Sequence, residues 1–224
     1  MELVASEIVK LREVETHQYG PGERLAGDIT ERLKRRHIYI RDGAIALRVA
    51  AGRSTSALLE VFGPGSLLPP WLWETKPGLE MESRYAIALA PTTTWELPAD
   101  VFERRVAAHA PLALLIASGA ANACATSLDR LAMLALRDPL RRVAHTLLLL
   151  LERLSDAPGS APGARLAVSQ VLIAEFASLS RQTTNRQLRR LTRSGMTTSK
   201  RRAVDVRDLA ALRGVAMGRR LLGR

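Results

Sequence analysis

The 224-residue chain is poor in cysteine, the residue from which disulfides and thiolate metal sites are built. It has one cysteine, Cys124, which excludes an internal disulfide, a four-cysteine iron–sulfur site and a zinc ribbon within one chain. The spacings typical of a phosphate-binding loop, a Ser-His-Asp triad or a metal cluster are also missing. We therefore expect a protein that is not an enzyme and that holds no metal or cofactor.

A long hydrophobic segment and a targeting signal are lacking as well. The longest apolar run, residues 110–125, contains Ser118, Gly119 and Asn122 and is too short to cross a bilayer comfortably. Residues 1–10 carry mixed charges and no apolar core, unlike a signal peptide. A cytoplasmic protein without a membrane partner is expected.

Acidic residues are scarce at one end of the chain only. The whole chain has 33 Lys and Arg against 22 Asp and Glu, a net charge of +11. Residues 181–224 contain thirteen basic and two acidic residues, which also give +11, so residues 1–180 are balanced. Such asymmetry indicates a polyanionic partner. Nucleic acid is favoured over a membrane surface, because no basic amphipathic helix with aromatic residues follows.

The basic excess begins inside a segment, residues 169–196, that predicts two short helices joined by a tight turn. Ser169 and Ser180 are suitable N-caps, Leu179 is an apolar turn residue, and Gly195 suits the position after the second helix. Three residues of the second helix share one buried face: Thr184, Leu188 and Leu191. The pattern is typical of a helix-turn-helix.

The opposite face of the second helix carries residue types that read DNA bases. Arg can bond twice to guanine, and Asn and Gln can bond twice to adenine. A recognition helix directs its N-terminal residues at base edges in the major groove. We therefore predict four base-reading residues: Arg181, Gln182, Asn185 and Arg186. The alternative is an ordinary solvated helix with a basic face.

A basic hairpin is predicted directly after the recognition helix. Residues 196–206 read as two short strands around residues 199–201, which makes the motif a winged helix. Asp208 then caps a terminal helix. Six residues are predicted to hold phosphates: Ser169, Thr183, Arg189, Lys200, Arg201 and Arg202.

The N-terminal part predicts β structure. From residue 19 to about residue 98, short strand-like segments alternate with glycine and proline turns, which indicates a β-barrel or sandwich. Residues 67–78 interrupt this pattern as an irregular apolar insertion with two tryptophans.

A long helix is predicted from Pro111 to about Arg137. Its stripe at 3-4 spacing is only partly apolar and consists of Leu112, Leu115, Gly119, Asn122, Thr126, Asp129 and Met133. This helix is a candidate homodimer coiled coil, and the alternative is packing within its own chain. Asp138 and Pro139 predict the N-cap and first residue of the next helix.

The order of barrel, long helix and winged helix resembles the cyclic-AMP receptor/fumarate-nitrate regulator (CRP/FNR) family of bacterial transcription factors. The most specific match is SRQTTNRQLRRL at residues 180–191, close to the family's Ser-Arg-Glu-Thr-Val-x-Arg-x-Leu-x-x-Leu. Residues 62–66, 84–103 and 136–150 match more loosely. Gln182 stands where Glu is common, and Ser178 replaces a frequent turn glycine.

The resemblance implies an α+β protein with three parts. These are a cyclic-nucleotide-binding-like jelly roll at residues 1–108, a dimerisation helix at 109–137 and a winged helix-turn-helix domain at 138–224. It further implies a cytoplasmic homodimer that binds inverted-repeat half-sites in double-stranded DNA, with RNA polymerase as a further partner.

The family's effector-binding residues are matched only in part. Cyclic-nucleotide binders place Glu after the Gly and Ser or Thr after the Arg, whereas here Ser66 follows Gly65 and Tyr85 follows Arg84. We therefore expect a regulator that does not depend on cyclic AMP and whose effector is unknown. The predicted effector pocket consists of Ser66, Trp71, Trp73, Arg84, Tyr85, Thr126 and Ser127.

Other interpretations stay open at this point. Thr126 and Ser127 resemble the family's adenine-contacting pair, and the two tryptophans alternatively cover the barrel mouth. Haem binding is less favoured, and its candidate ligands are His17, His37, His109 and His145. The protein is alternatively a small-molecule sensor with only non-specific DNA affinity, or a family member without an effector. The sequence does not distinguish activation from repression.

Overall fold

The computed structural model describes Ser6, Ile8 and residues 12–25, 35–50, 56–73, 84–154, 165–200 and 202–219, without the side chains of Trp71 and Trp73. The chain divides into two compact units, Met1–Ala123 and Cys124–Arg224. Sheets dominate the first unit, helices dominate the second, and a long helix lies between them in sequence, so the predicted α+β class is confirmed.

The described strands of the first unit form two antiparallel sheets. One sheet has the order β1-β7-β2-β5 and the other has the order β4-β3-β6. A short 3-10 helix, Pro70–Trp73, lies between β5 and β6. The strands are β1 (Glu15–Tyr19), β2 (Arg36–Asp42), β3 (Ile45–Ala50), β4 (Ser56–Phe62), β5 (Leu67–Leu68), β6 (Arg84–Ala88) and β7 (Thr92–Pro98).

Both sheets contribute side chains to one apolar core. Ile38 and Ile40 alternate along β2 toward this core, where Ile45 and Leu47 of β3 meet them. Strict alternation of this kind places every second side chain on the same face of a strand. The predicted barrel therefore takes the form of two sheets over a shared core, the arrangement of a jelly roll.

The other face of β2 packs under helix α1 (Ala99–Ala108) and the start of helix α2 (Ala110–Leu134). Tyr39 of β2, Phe102 of α1 and Leu112 of α2 belong to one buried cluster. His37 lies in the same region, with its ring centroid 4.2 Å from that of Phe102. Burial lowers the pKa of His37 to about 4.

The second unit contains four helices besides the end of α2, among the residues described. They are α3 (Pro139–Leu154), α4 (Gln170–Phe176), α5 (Arg181–Arg193) and α6 (Leu209–Ala216). A small antiparallel sheet accompanies them, with the order β8-β10-β9. Its strands are β8 (Arg165–Leu166), β9 (Thr197–Lys200) and β10 (Ala203–Val206).

Helix α3 begins as predicted, because the Asp138 carboxylate accepts a hydrogen bond from the Leu140 N–H at 2.9 Å. Its leucine-rich run is mostly buried and includes Leu147 and Leu150 at full burial. The side chains of this run therefore supply the core against which the other helices of the unit pack.

The predicted stripe of α2 is buried at its two ends and mostly exposed between them. Leu112 and Met133, at its two ends, are buried, but Gly119, Asn122 and Asp129 are exposed. The large apolar side chains that α2 leaves exposed are Leu114, Leu128 and Leu131, at 70%, 59% and 62% exposure. Helix periodicity alone did not reveal which face the chain covers.

Helix α2 is the one helix among the described residues that is long enough and apolar enough to cross a membrane. One such helix is weak evidence, and this helix carries the charged residues Asp129 and Arg130 near its end.

The buried histidine leads to a pH prediction. Because the pKa of His37 falls from 6.5 to about 4 on folding, the unfolded chain takes up a proton first as the pH drops. The folded state should therefore lose stability between pH 6.5 and about 4, by at most about 1.4 kcal/mol per pH unit.

The measurement is urea unfolding at about pH 7.5 and about pH 5. The readout is tryptophan fluorescence, because all three tryptophans lie in the first unit. The control is His37→Leu, which should lose less stability than the native chain over the same interval. An equal loss in both proteins would refute the assignment.

Candidate nucleic-acid interface

The first helix of the motif, α4, is capped as predicted. The Ser169 hydroxyl oxygen accepts a hydrogen bond from the Leu172 N–H at 3.1 Å. On the inner side of α4, Leu172, Ile173 and Phe176 are buried. The cap fixes where α4 starts, and the buried residues fix which side of it packs.

The turn after α4 is a tight backbone motif that holds a serine in the left-handed region. The Ser178 N–H donates to the Glu175 carbonyl at 3.1 Å, and the Leu179 N–H donates to the Ala174 carbonyl at 3.0 Å. This pair of bonds defines a Schellman motif. Ser178 has a φ of +49°, so serine takes the conformation that glycine adopts most easily.

Helix α5 is fixed at both ends. The Ser180 hydroxyl oxygen accepts from the Thr183 N–H at 3.1 Å, which confirms the predicted cap. At the other end Gly195 has a φ of +73°, and the Met196 N–H donates to the Leu191 carbonyl at 3.1 Å. The recognition helix therefore has a defined length.

The buried face of α5 contains the three predicted residues and one more. Thr184, Leu188 and Leu191 are almost completely buried, and so is Gln187. The Gln187 side-chain carbonyl accepts a hydrogen bond from Arg190 Nη1 at 3.1 Å. Sequence analysis missed Gln187, because a polar residue at helical spacing is usually assigned to solvent.

The predicted base readers do not share one environment. Arg181, Gln182 and Arg186 are exposed, whereas Asn185 is half-buried. The Asn185 Oδ1 atom is shielded from solvent and has no hydrogen-bond partner among the described residues. Recognition of adenine by two hydrogen bonds needs both the oxygen and the nitrogen of the amide to be accessible. Asn185, as it is oriented here, does not meet this requirement.

The predicted phosphate contacts fall into two groups. Ser169 and Thr183 are half-buried at helix N-termini, and the Ser180 hydroxyl donates to Thr183 Oγ1 at 2.9 Å. A hydroxyl that accepts such a bond keeps its own proton for a phosphate oxygen. Arg189 is exposed on α5.

The second group lies on the wing. Lys200 and Arg202 are exposed, and Arg201 lies outside the described residues. Lys200 pairs with Ala203, so Arg202 lies beside the end of the paired strands. The hairpin is tied across its strands by the Thr198 hydroxyl, which donates to Asp205 Oδ2 at 3.2 Å.

The structure also places Arg165 beside the wing, and sequence analysis missed it. Arg165 is exposed on β8, and its Nε atom lies 3.9 Å from Asp205 Oδ1. The pairing of β8 with β10 creates this position. A two-residue strand after a Pro/Gly-rich stretch has no distinctive pattern by which it could have been found.

The predicted effector residues are divided between the two units. In the first unit, Arg84 Nη1 donates to the Leu72 carbonyl of the 3-10 helix at 2.9 Å, and the Ser66 carbonyl accepts from the Ile40 N–H at 2.9 Å. The guanidinium carbon of Arg24 lies 4.3 Å from the centroid of the Tyr85 ring.

Thr126 and Ser127 lie on α2 in the second unit. There the Thr126 carbonyl accepts from Arg153 Nη2 at 3.1 Å. In the first unit, the hydrogen bond to the Leu72 carbonyl joins Arg84 to the segment that carries Trp71 and Trp73, whose side chains lie outside the described part of the structure.

The four histidines named as alternative haem ligands each have contacts within their own unit. His17 Nε2 lies 3.4 Å from Glu15 Oε2, His37 packs against Phe102, and His109 Nδ1 accepts from the Leu112 N–H at 3.2 Å. Burial lowers the pKa of His145. Among the described residues, no group of three or more His, Cys, Asp or Glu side chains could hold a metal ion.

A capped pair of helices followed by a basic hairpin defines a winged helix-turn-helix domain. Residues 141–215 match the family model of the Crp-like helix-turn-helix domain. Among curated protein sequences, none matches this chain.

Solved structures match over most of the chain at low sequence identity. FixK2 from Bradyrhizobium japonicum has a TM-score of 0.70 and 18% identity, covering 90% of this chain and 96% of its own. TTHB099, described as a CRP-family transcriptional regulator from Thermus thermophilus, has a TM-score of 0.68 and 20% identity, covering 92% and 98%. The chain thus has the CRP/FNR fold and a Crp-like helix-turn-helix domain, and the resemblance is confirmed.

The two positive-φ positions of the motif give a matched pair of predictions. Ser178→Gly should stabilise the second unit by about 0.5 kcal/mol, because glycine adopts this conformation without a Cβ clash. Gly195→Ala should destabilise it by about 1 kcal/mol for the converse reason. Urea unfolding followed by far-ultraviolet circular dichroism measures both. Shifts of the same sign in the two variants would contradict this account.

Proposed function

We propose that the protein is a homodimeric transcription regulator of the CRP/FNR type that binds a specific sequence in double-stranded DNA. One observation carries the proposal: a capped recognition helix exposes Arg181, Gln182 and Arg186 in its first turns. These residue types can each make two hydrogen bonds to a purine in the major groove. The match of residues 141–215 to the Crp-like domain supports the same function.

In this proposal the phosphate contacts orient the helix before bases are read. Ser169 and Thr183 donate from the helix N-termini, Arg189 lies along the helix, and Lys200 to Arg202 contact the backbone from the wing. Two recognition helices of a dimer would enter successive major grooves about 34 Å apart, so the operator is an inverted repeat.

The exposed face of α2 supports the dimer. Leu114, Ala117, Ala121, Cys124, Leu128 and Leu131 follow one another at alternating spacings of three and four residues. All six are exposed, as the a and d positions of a coiled coil are before the second chain covers them. The opposite face is used within the chain, where Leu112 and Met133 are buried. A parallel pair of α2 helices would therefore bury the free apolar face.

The residues beside Gly65 and Arg84 in the sequence support independence from cyclic AMP. The resemblance assigns the Arg84 guanidinium to the cyclic phosphate, but Tyr85 follows it where cyclic-nucleotide binders have Ser or Thr. One of its five N–H groups donates to the Leu72 carbonyl. Ser66 offers no carboxylate for a ribose. The effector is therefore of another chemical class, or the regulator acts without one. Cytoplasmic location and contact with RNA polymerase follow from the proposed role.

The test of sequence-specific binding is selection of bound duplexes from a random pool at about 150 mM salt, where non-specific binding is weak. The expected product is a two-fold symmetric motif, the same with and without cyclic AMP. Arg186→Ala should cost about 1–3 kcal/mol and relax the preference at one base pair, whereas its control Lys200→Ala should weaken all sequences alike.

Two results would overturn the DNA-reading role. One is the absence of an enriched motif, also after addition of cell extract, which would favour the small-molecule sensor. The other is an equal loss on operator and random DNA for Arg186→Ala.

The dimer has its own test. Leu128→Glu should raise the dimer dissociation constant at least about tenfold, because it places two carboxylates in an apolar seam. The control, Asn122→Glu, adds the same charge at an exposed position outside the seam. Sedimentation equilibrium measures both variants.

Oxidation of Cys124 with a thiol oxidant provides a second test of the dimer. The two Cys124 thiols of a parallel, in-register pair should lose their protons and two electrons to the oxidant and form one disulfide. A monomeric wild type, or identical effects of the two glutamate variants, would refute the seam.

A further inference from the structure

One face of the last turns of α2 contacts helix α3 of the second unit. Thr126, Arg130 and Met133 stand at positions i, i+4 and i+7 of the helix and so lie on the same side. The Thr126 carbonyl accepts from Arg153 Nη2 at 3.1 Å, and Met133 Sδ accepts from the Thr146 hydroxyl at 3.1 Å. Both donors belong to α3, so α2 and α3 are joined at two levels.

Arg130, the middle residue of that face, contacts the helix-turn-helix itself. Its guanidinium carbon lies 4.4 Å from the centroid of the Phe176 ring, and that of Arg153 lies 5.3 Å from the same centroid. Both distances are within the range of a cation–π interaction. Phe176 is completely buried and is the last residue of α4.

The connection between α2 and α3 is held as well. The Leu136 carbonyl accepts hydrogen bonds from Nε of Arg142, at 3.0 Å, and from Nη2 of the same side chain. Asp138 then caps α3. Residues 135–138 are therefore tied to the helix that follows them.

We propose that Arg130 and Arg153 are positioning residues for DNA recognition, which clamp Phe176 between the end of α2 and the core of the helix-turn-helix unit. The name arginine clamp is used below for Arg130, Phe176 and Arg153. The clamp makes the end of α2 and the first helix of the motif one body. The direction of α2 then determines where the recognition helix lies.

Arginine suits this role better than lysine. A guanidinium is planar, so it can stack on an aromatic ring while its N–H groups donate in the plane. Arg153 shows both contacts, one to Phe176 and one to Thr126. Arg130 is the one basic residue in the 25 residues of α2.

This inference rests on the proposed dimeric, sequence-specific function, because it concerns the distance between two recognition helices. With a rigid clamp, the dimer should bind tightly only to operators with one spacing between the half-sites. A released clamp lets each recognition helix adapt, so that operators with altered spacing are tolerated.

The test compares Arg130→Gln with Arg137→Gln, which removes the same charge from an exposed position outside the clamp. Affinity is measured on the selected operator and on operators with one base pair added to or removed from the spacer. The wild type and Arg137→Gln should bind altered operators at least about tenfold more weakly, and Arg130→Gln should reduce this ratio to about threefold.

A merely structural defect gives a different result. If Arg130→Gln lowers affinity for all three operators by one common factor, or keeps the wild-type ratio, the clamp is overturned. Absence of any selected operator for the wild type would instead overturn the proposed function and the DNA role of the clamp together.

A measurement without DNA separates the two proposals. Hydrogen exchange of the backbone amides at 131–134 should become about three- to tenfold faster in Arg130→Gln and in Phe176→Leu, with little change at 187–191. Unchanged exchange at 131–134 would show that the clamp does not hold α2. Because Arg130→Gln changes a half-buried side chain only, it tests the clamp even where Phe176→Leu fails to fold.

Discussion

Both units depend on one helix that supplies buried side chains to each of them. Leu112, near the start of α2, belongs to a core of the first unit, and Met133, near its end, is buried in the second. The side of the helix that packs within the chain is thereby fixed at both ends. The large apolar residues on the other side, Leu114, Leu128 and Leu131, are exposed in the described structure.

The ends of the recognition helix are defined by local hydrogen bonds and not by the side chains on its exposed face. A serine caps each helix of the motif, and a left-handed residue ends each of them. These four local devices set the length of both helices and the path of the turn. Arg181, Gln182 and Arg186 take no part in these devices. Substitution of these three side chains should therefore leave the backbone of the two helices unchanged.

Features encoded within a few residues were predictable from the sequence. Ser169 and Ser180 as caps, and the buried triplet beginning at Thr184, follow from local spacing alone. Features that depend on tertiary contacts were not. Gln187 is buried, and Arg130 stacks on Phe176, 46 residues further along the chain. The spacing of residues along one helix predicts neither contact. For the same reason the spacing along α2 did not show that Leu112 and Met133 are buried while the residues between them are mostly exposed.

The hydrogen bond from Arg84 to the Leu72 carbonyl has a consequence for ligand selectivity in the first unit. The carbonyl is tethered to the arginine by the chain, so its effective concentration is high and constant. This bond uses one of the five N–H groups of the guanidinium, and the buried Arg84 Nε atom has no hydrogen-bond partner among the described residues. An anion that binds the remaining N–H groups leaves the bond to Leu72 intact, and only an anion that takes the same N–H group competes with the carbonyl. The bond therefore holds the planar guanidinium in one orientation, and ligands are selected by the direction from which they reach its remaining donors.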